Sequence, residues 1–140
     1  MHGAGWGQTL AVDKQKRVLV VDDSKAVCLN LRSFLKELGF PNVDMAEDGL
    51  IALEKLRADL TAYGLIISDW NMERMNGYDL LKAVKQDVKT KHIPFIMITA
   101  QNSPENVVLA KKAGVNNYII KPFTVAILKQ RVEAVLGPLS

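Results

Sequence analysis

Three acids, one threonine and one lysine of this sequence stand where short apolar runs end. RVLVV is followed by Asp22 and Asp23, and LIIS is followed by Asp69. The run PFIMIT ends in Thr99, and NYII leads into Lys121. Carboxylates that meet in one site repel one another, and a hard divalent cation with oxygen ligands relieves that repulsion. If the apolar runs are neighbouring strands, the acids predict a Mg²⁺ site.

A carboxylate beside such a cation can also act as a nucleophile. Its attack on a phosphoryl group makes an acyl phosphate, and the metal offsets the charge that develops. The ammonium group of Lys121 could neutralise a second phosphoryl oxygen, and the hydroxyl of Thr99 could donate a hydrogen bond to a third. These groups therefore make chemical sense as one phosphoryl-binding set.

Each residue taken alone also has a purely structural explanation. Asp23 or Ser24 could cap the helix that follows, and Asp69 could be a turn residue. Lys121 could be a solvated surface lysine, and Tyr118 a half-buried strand aromatic. We prefer the chemical interpretation, because independent caps and turns need not all fall at the carboxyl ends of different strands.

The elements that would position these groups alternate regularly along the chain. Short apolar runs predict strands at residues 17–21, 43–46, 65–68, 94–99 and 117–120. Apolar residues at helical spacing predict helices at residues 24–39, 48–58, 77–87, 103–114 and 124–136. Strands that are apolar throughout are buried on both faces, so we predict an α/β fold with a doubly wound parallel sheet. Ligands of such sheets bind at the carboxyl ends of the strands.

Length and composition limit the classes of protein that remain. The 140 residues suit one domain, and 49% apolar with 24% charged residues exclude a disordered chain. The apolar runs are too short to cross a bilayer, and the single cysteine, Cys28, excludes an internal disulfide. A net charge of +3 without a basic stripe gives no support for nucleic-acid binding. We expect a cytoplasmic protein with a flexible leader at 1–16, a domain at 17–136 and a short tail at 137–140.

Four stretches of the chain resemble the receiver domains of two-component response regulators. They are VVDD at 20–23, SDWNM at 68–72, ITA at 98–100 and YIIKPF at 118–123. The stretches around Asp69 and Lys121 are most similar to stand-alone, CheY-like chemotaxis regulators. The resemblance extends over residues 17–136, and it implies the flavodoxin-like fold of that family, with strand order 2-1-3-4-5 and five helices.

The resemblance also implies roles for individual residues. Asp69 would be the phosphoacceptor for a histidine of a CheA-like sensor kinase. Asp22, Asp23 and Asp69 would hold Mg²⁺ together with the backbone carbonyl of Asn71. Lys121 would pair with the phosphoryl group, and its bond to Pro122 would be cis.

A conformational switch would follow from phosphorylation in this family. Thr99 would move toward the phosphoryl group, and Tyr118 would turn inward to fill the vacated space. The altered surface would comprise the fourth helix, the fifth strand and the fifth helix. A flagellar motor switch protein would bind there, and a phosphatase is a further possible partner.

The loop after the third strand departs from the family pattern. Receivers usually carry Met-Pro-x-Met-Asp-Gly, whereas this chain has MERMNG at residues 72–77. Glu73 replaces a rigid proline with an acid close to the expected metal, so we predict an altered Mg²⁺ affinity or phosphoryl lifetime. Asn76 loses a charge but remains a good turn residue. Trp70, next to Asp69, would serve as a reporter of metal binding.

The sequence therefore favours a monomeric, phosphorylation-activated binding module that is not an enzyme. We expect it to stand alone, because the chain ends just after the last predicted helix. A phosphorelay or phosphate-sink receiver would use the same residues, and a receiver from a longer DNA-binding regulator is a further alternative. A Mg²⁺-dependent phosphatase of the haloacid dehalogenase type fits less well, because Asn71 stands where its second, proton-transferring acid belongs.

Overall fold

Five parallel strands form the centre of the computed structural model, which describes residues 12–100 and 103–139. The strands are β1 (Arg17–Val21), β2 (Val43–Ala46), β3 (Tyr63–Asp69), β4 (Phe95–Thr99) and β5 (Asn117–Ile120). The helices are α1 (Lys25–Glu37), α2 (Gly49–Ala58), α3 (Gly77–Gln86), α4 (Pro104–Lys112) and α5 (Val125–Leu136).

The strand order is β2-β1-β3-β4-β5, which confirms the predicted flavodoxin-like fold. All four neighbouring pairs are parallel. The register pairs Val21 of β1 with Ser68, and Asp69 of β3 with Ile98. The carboxyl ends of the three central strands therefore lie nearly level, so that side chains following them meet at one edge of the sheet.

The alternation of side chains along each strand divides the apolar core into two clusters. Leu19, Ile66 and Met97 point to one face, where α2, α3 and α4 cover them. Val20 and Ile67 point to the opposite face, where α1 and α5 cover them. The strands are thus buried on both sides, as their uninterrupted apolar sequences predict.

The third strand is longer than predicted. β3 begins at Tyr63 rather than Leu65 and includes Asp69. Tyr63 is buried, and its hydroxyl donates a 2.6 Å hydrogen bond to Asp44 Oδ2. This partner lies on β2, so no local pattern in the sequence indicates that β3 starts at Tyr63.

Side chains at the first residue of two predicted helices act as N-caps. Asp48 and Thr124 cap α2 and α5 through their side chains. Ser103 stands at the N-cap of α4, but its hydroxyl donates to Glu105 Oε2 instead of accepting a backbone N–H. Gly39 lies one residue beyond Leu38, the C-cap of α1, and its φ is +100°, a conformation that glycine adopts without steric cost.

The described parts of both termini contact the domain. Residues 1–11 of the predicted leader lie outside the described residues, whereas Val12 packs against the cluster under α1 and α5. Leu139 of the predicted tail is buried in the same cluster, and its N–H donates to Glu133 Oε2 at 3.0 Å. The domain limits at 17 and 136 stay a prediction. Between residues 12 and 139, in the described ranges, no helix has the length and apolar character of a membrane span.

Candidate functional site

The three predicted acids meet at the carboxyl edge of the sheet. Asp22 and Asp23 follow β1, and Asp69 is the last residue of β3. One carboxylate oxygen from each residue lies within 4.8 Å of the others. Asp22 and Asp69 are buried and Asp23 is exposed, so the group, called the acidic cluster below, opens to solvent on one side.

Local hydrogen bonds fix the turn that presents Asp22 and Asp23. The N–H of Asp22 donates to the carbonyl of Ala46 on β2 at 3.0 Å, which extends the β1–β2 pairing by one residue. Asp22 Oδ1 accepts the N–H of Ser24 at 2.8 Å, and Ser24 Oγ accepts the N–H of Val27 at 3.3 Å. The N-cap of α1 is therefore Ser24, and the Asp23 carboxylate belongs to the acidic cluster instead.

Lys121 lies between two acids of the cluster. Its Nζ is 3.2 Å from Asp22 Oδ2 and 3.3 Å from Asp69 Oδ1. The Lys121–Pro122 bond is cis, and the N–H of Lys121 donates to the carbonyl of Thr99 at 2.8 Å. The structural alternative of a solvated surface lysine is therefore wrong.

The electrostatics of the site favour an additional cation. Burial and the charge of Asp22 raise the pKa of Asp69, although Lys121 opposes the shift. Burial lowers the pKa of Lys121, but the charges of Asp22 and Asp69 outweigh it and raise that pKa. The three carboxylates and the single ammonium sum to two negative charges, carried by hard oxygen ligands. This donor set fits Mg²⁺, which prefers carboxylate oxygens and water.

Thr99 and Tyr118 lie beside the cluster on neighbouring strands. Thr99 ends β4 and is buried, and Tyr118 on β5 packs against the core under α2, α3 and α4. The Tyr118 hydroxyl oxygen is buried, which raises the pKa of the phenol, while the Thr99 side chain opposes the shift. The two side chains interact, but within the described part of the chain the phenol oxygen has no regular hydrogen-bond partner. Tyr118 is thus a half-buried strand aromatic that contacts the site.

The loop formed by residues 70–77 closes the site on the β3 side. The N–H of Trp70 donates to the carbonyl of Ile98 at 2.9 Å. The carbonyl of Trp70 accepts the N–H of Gly77 at 2.8 Å. A Cβ atom at Gly77 would lie 2.1 Å from the carbonyl oxygen of Asp69, so only glycine fits there. Asn71 and Glu73 lie in this closed loop.

Sequence reasoning missed two contacts of this loop. Tyr78 stacks on Trp70 with a centroid distance of 5.3 Å and an interplanar angle of 3°, and Lys82 Nζ lies 4.5 Å from the Tyr78 ring centroid. Arg74 binds Asp48, the N-cap of α2. Trp70 and Tyr78 stand on either side of the loop. Their closeness in the sequence was therefore a weak indication of the first contact. Asp48 and Arg74 are too far apart in the chain to show any pattern.

Cys28 lies beneath the acidic cluster and lines a cavity of about 380 Å³ with Asp22 and Asp23. It is buried, as a core residue should be, and its Sγ donates to the carbonyl of Asp22 at 3.4 Å. Burial and the negative charge of Asp22 raise the pKa of this thiol to about 11. It therefore stays protonated near neutral pH and offers no thiolate for catalysis or metal binding.

Comparison with known proteins gives one consistent family. The family model for the response regulator receiver domain matches residues 18–133. The chemotaxis protein CheY1 of Helicobacter pylori is 48% identical over 121 residues, which make up 86% of this chain and 97% of that protein.

Solved structures agree with this match. The chemotaxis protein CheY4 of Vibrio cholerae has a TM-score of 0.80 at 34% identity, covering 87% of this chain and 99% of that chain. A chain of the CheX–CheY–BeF3–Mg²⁺ complex from Borrelia burgdorferi also has a TM-score of 0.80, at 29% identity, covering 86% of this chain and 88% of that chain.

Proposed function

Because the chain belongs to the response regulator receiver family and is CheY-like, we propose that Asp69 accepts a phosphoryl group from a histidine of a sensor kinase. Receivers of this type work in phosphorylation-dependent two-component signalling, and they are switches rather than classical enzymes. The observation that carries the proposal is the position of the Asp69 carboxylate. It ends a central strand, within the acidic cluster and 3.3 Å from Lys121.

Receiver domains bind Mg²⁺ in an acidic pocket, and the acidic cluster supports the same for this chain. We propose Asp22, Asp23, Asp69 and the backbone carbonyl of Asn71 as the ligands. The bound metal would offset the charge that develops on the phosphoryl oxygens. A hard, oxygen-rich set with two negative charges to neutralise is the kind that Mg²⁺ selects.

The side chains of the site divide the work of phosphoryl transfer. A carboxylate oxygen of Asp69 attacks phosphorus, the bond from phosphorus to the histidine nitrogen breaks, and the nitrogen keeps the electron pair. Lys121 already contacts Asp69, so its ammonium is placed to pair with a phosphoryl oxygen. The hydroxyl of Thr99 would bind the phosphoryl group, and Tyr118, which interacts with Thr99, would change position as a result.

The phosphorylated form would act through a protein partner, and we propose a flagellar motor switch protein. Four apolar side chains support a docking surface here, and this set is called the output face: Val108 and Leu109 of α4, Ile120 of β5 and Ile127 of α5, each 37–49% exposed. The output face adjoins Thr99 and Tyr118 through β5. The similarity to a chain solved in complex with CheX also supports a protein partner, and a phosphatase is a further proposed one.

Intact mass after incubation with a small acyl phosphate donor tests the phosphoacceptor. We expect one phosphoryl adduct on the wild type in the presence of Mg²⁺, and none on Asp69→Asn or after chelation of the metal. Asp79→Asn is the matched control, because Asp79 is an exposed acid outside the acidic cluster that pairs with Lys82 at 3.5 Å. An adduct that persists in Asp69→Asn would place the phosphoacceptor elsewhere.

A further inference from the structure

An ion pair outside the acidic cluster ties the loop after β3 to the start of α2. Asp48 Oδ1 accepts the N–H of Ile51 at 3.0 Å and so caps the helix. Its Oδ2 accepts the Nε of Arg74 at 2.7 Å and also contacts the second guanidinium nitrogen, Nη2. The side chain of Asp48 is only 7% exposed, against 55% for Arg74. One buried carboxylate therefore serves both a helix terminus and a distant loop.

Arg74 is held in an unusual backbone conformation. Its φ is +64°, the left-handed region that side chains other than glycine, asparagine and aspartate seldom adopt. Such a conformation persists only where neighbouring contacts impose it. The next residue supplies a second contact, because the carbonyl of Met75 accepts the N–H of Gly49 at 3.0 Å. A Cβ atom at Gly49 would lie 2.5 Å from Met75 Cγ, so the loop and the helix start touch closely.

These contacts hold the middle of the same loop whose ends are joined by Trp70 and Gly77. The loop contains Asn71, whose carbonyl is the proposed fourth ligand of the metal. We propose that Asp48 and Arg74 are positioning residues, which set the Mg²⁺ affinity of the site by fixing residues 70–77. This inference rests on the proposed function, because it takes the Asn71 carbonyl as a ligand.

The sign of the effect separates positioning from simple charge. Removal of the positive charge of Arg74 would, through Coulomb interaction alone, make a cation bind more tightly. Loss of a positioning contact makes it bind more weakly, because the ligand carbonyl is less well fixed. Arg74→Asn therefore has opposite expected outcomes under the two explanations.

The test uses Asp48→Asn, Arg74→Asn and the double variant of the full chain. Asparagine caps helices as well as aspartate does and tolerates the left-handed region, so both single variants keep the local backbone. Mg²⁺ affinity is measured by calorimetry, and amide hydrogen exchange of residues 72–77 is measured without Mg²⁺. We expect each single variant to weaken Mg²⁺ binding about three- to tenfold, less than the loss typical for a direct partner of a metal ligand.

Further arms make the result specific to the ion pair. The double variant should bind Mg²⁺ no more weakly than either single one, because both substitutions break the same contact. Exchange of the loop amides should be faster in all three, and Arg74→Lys should recover part of the affinity. Asp79→Asn removes an exposed 3.5 Å pair with Lys82 and should leave Mg²⁺ affinity and loop exchange unchanged.

Wild-type affinity in the single variants, tighter binding by Arg74→Asn, or unchanged loop exchange would each overturn the positioning role. Failure of the proposed function looks different. In that case the wild type itself would bind no Mg²⁺ and take up no phosphoryl group, and the positioning role would fall with it.

Discussion

At the scale of single residues, the charge of Lys121 is shared between two acids. Its ammonium contacts both Asp22 and Asp69, and burial raises the pKa of Asp69 in spite of that contact. The lysine and a metal ion would therefore stabilise the same carboxylates. Such a pair of cations should compete electrostatically when both are present, even though both are needed around a phosphoryl group.

We predict that Lys121→Met binds Mg²⁺ more tightly than the wild type, by at least about fivefold, because a positive charge next to Asp69 is lost. The same variant should be phosphorylated more slowly, since one phosphoryl oxygen loses its partner. Calorimetric titration and the rate of adduct formation measure the two effects. Lys129→Met, at an exposed position of α5, is the control. Equal or weaker Mg²⁺ binding by Lys121→Met would contradict the argument.

Glu73 permits a second prediction at this scale. It is an exposed acid two residues beyond Asn71, where the family usually has proline. Glu73→Gln should weaken Mg²⁺ binding about two- to threefold, and the difference should shrink as the salt concentration rises, because exposed charges are screened. Glu73→Pro should in addition change the lifetime of the phosphoryl group. Affinities and lifetimes equal to the wild type in both variants would show that Glu73 has no part in the site.

At the scale of elements, the start of α2 depends on one carboxylate with two partners. Burial opposes ionisation of Asp48, but the N–H of Ile51 and the guanidinium of Arg74 outweigh it and lower the pKa of this acid below its ordinary value of 3.8. A lowered pKa means that the folded state binds the proton less well than the unfolded chain does. Ionised Asp48 therefore stabilises the fold above that ordinary value, and the contribution is lost as the pH falls through the folded-state pKa.

We predict that Asp48→Asn lowers the free energy of unfolding by about 0.5–1 kcal/mol at neutral pH. The loss is modest because asparagine keeps the cap and water screens the exposed side of the Arg74 pair. Urea unfolding at several pH values should show a constant difference from the wild type down to about pH 4, and a shrinking one below it. A difference that grows on acidification would contradict the assignment. Asp79→Asn should leave the free energy within about 0.5 kcal/mol of the wild type.

Elements also show what sequence patterns can and cannot reveal. β1, β2 and β5 follow directly from their apolar runs, and the convergence of Asp22, Asp69 and Lys121 follows from the geometry of a parallel sheet. Roles and strand order came from the resemblance to a family instead. The ion pair between Asp48 and Arg74 could not be predicted from the sequence. Arg74 adopts a left-handed backbone conformation that its residue type disfavours, and the pair joins segments that are distant in the chain.

At the scale of the whole molecule, exposed apolar side chains lie both on the output face and outside it. α4, β5 and α5 present the output face, whereas Leu50 is an exposed leucine of α2, outside it. The two leucines allow a matched comparison, since Leu109 of the output face is 41% exposed and Leu50 is 45% exposed. Removal of either side chain should change stability to a similar, small extent.

We predict that Leu109→Ser weakens binding of the phosphorylated protein to a motor switch protein by about tenfold, because the complex then buries less apolar surface. Leu50→Ser should bind like the wild type. Titration of the labelled partner with phosphorylated protein measures both, and intact mass verifies equal phosphorylation. Equal affinities would place the docking surface elsewhere.

The oligomeric state tests the same assignment. We predict that the phosphorylated protein remains a monomer in light scattering, because the output face is reserved for a different partner. A receiver from a DNA-binding regulator would use that face to dimerise. Dimer formation on phosphorylation would therefore favour that alternative over a motor-binding protein.

The buried thiol of Cys28 makes the protein a convenient subject for site-specific labelling. With a pKa of about 11, this thiol is almost entirely protonated near neutral pH, and protonated thiols react slowly with maleimides and oxidants. A cysteine introduced on the surface would thus be modified selectively without removal of the native one. Pairs of spin labels or dyes placed on α4 and α5 would then report the distance change that accompanies switching.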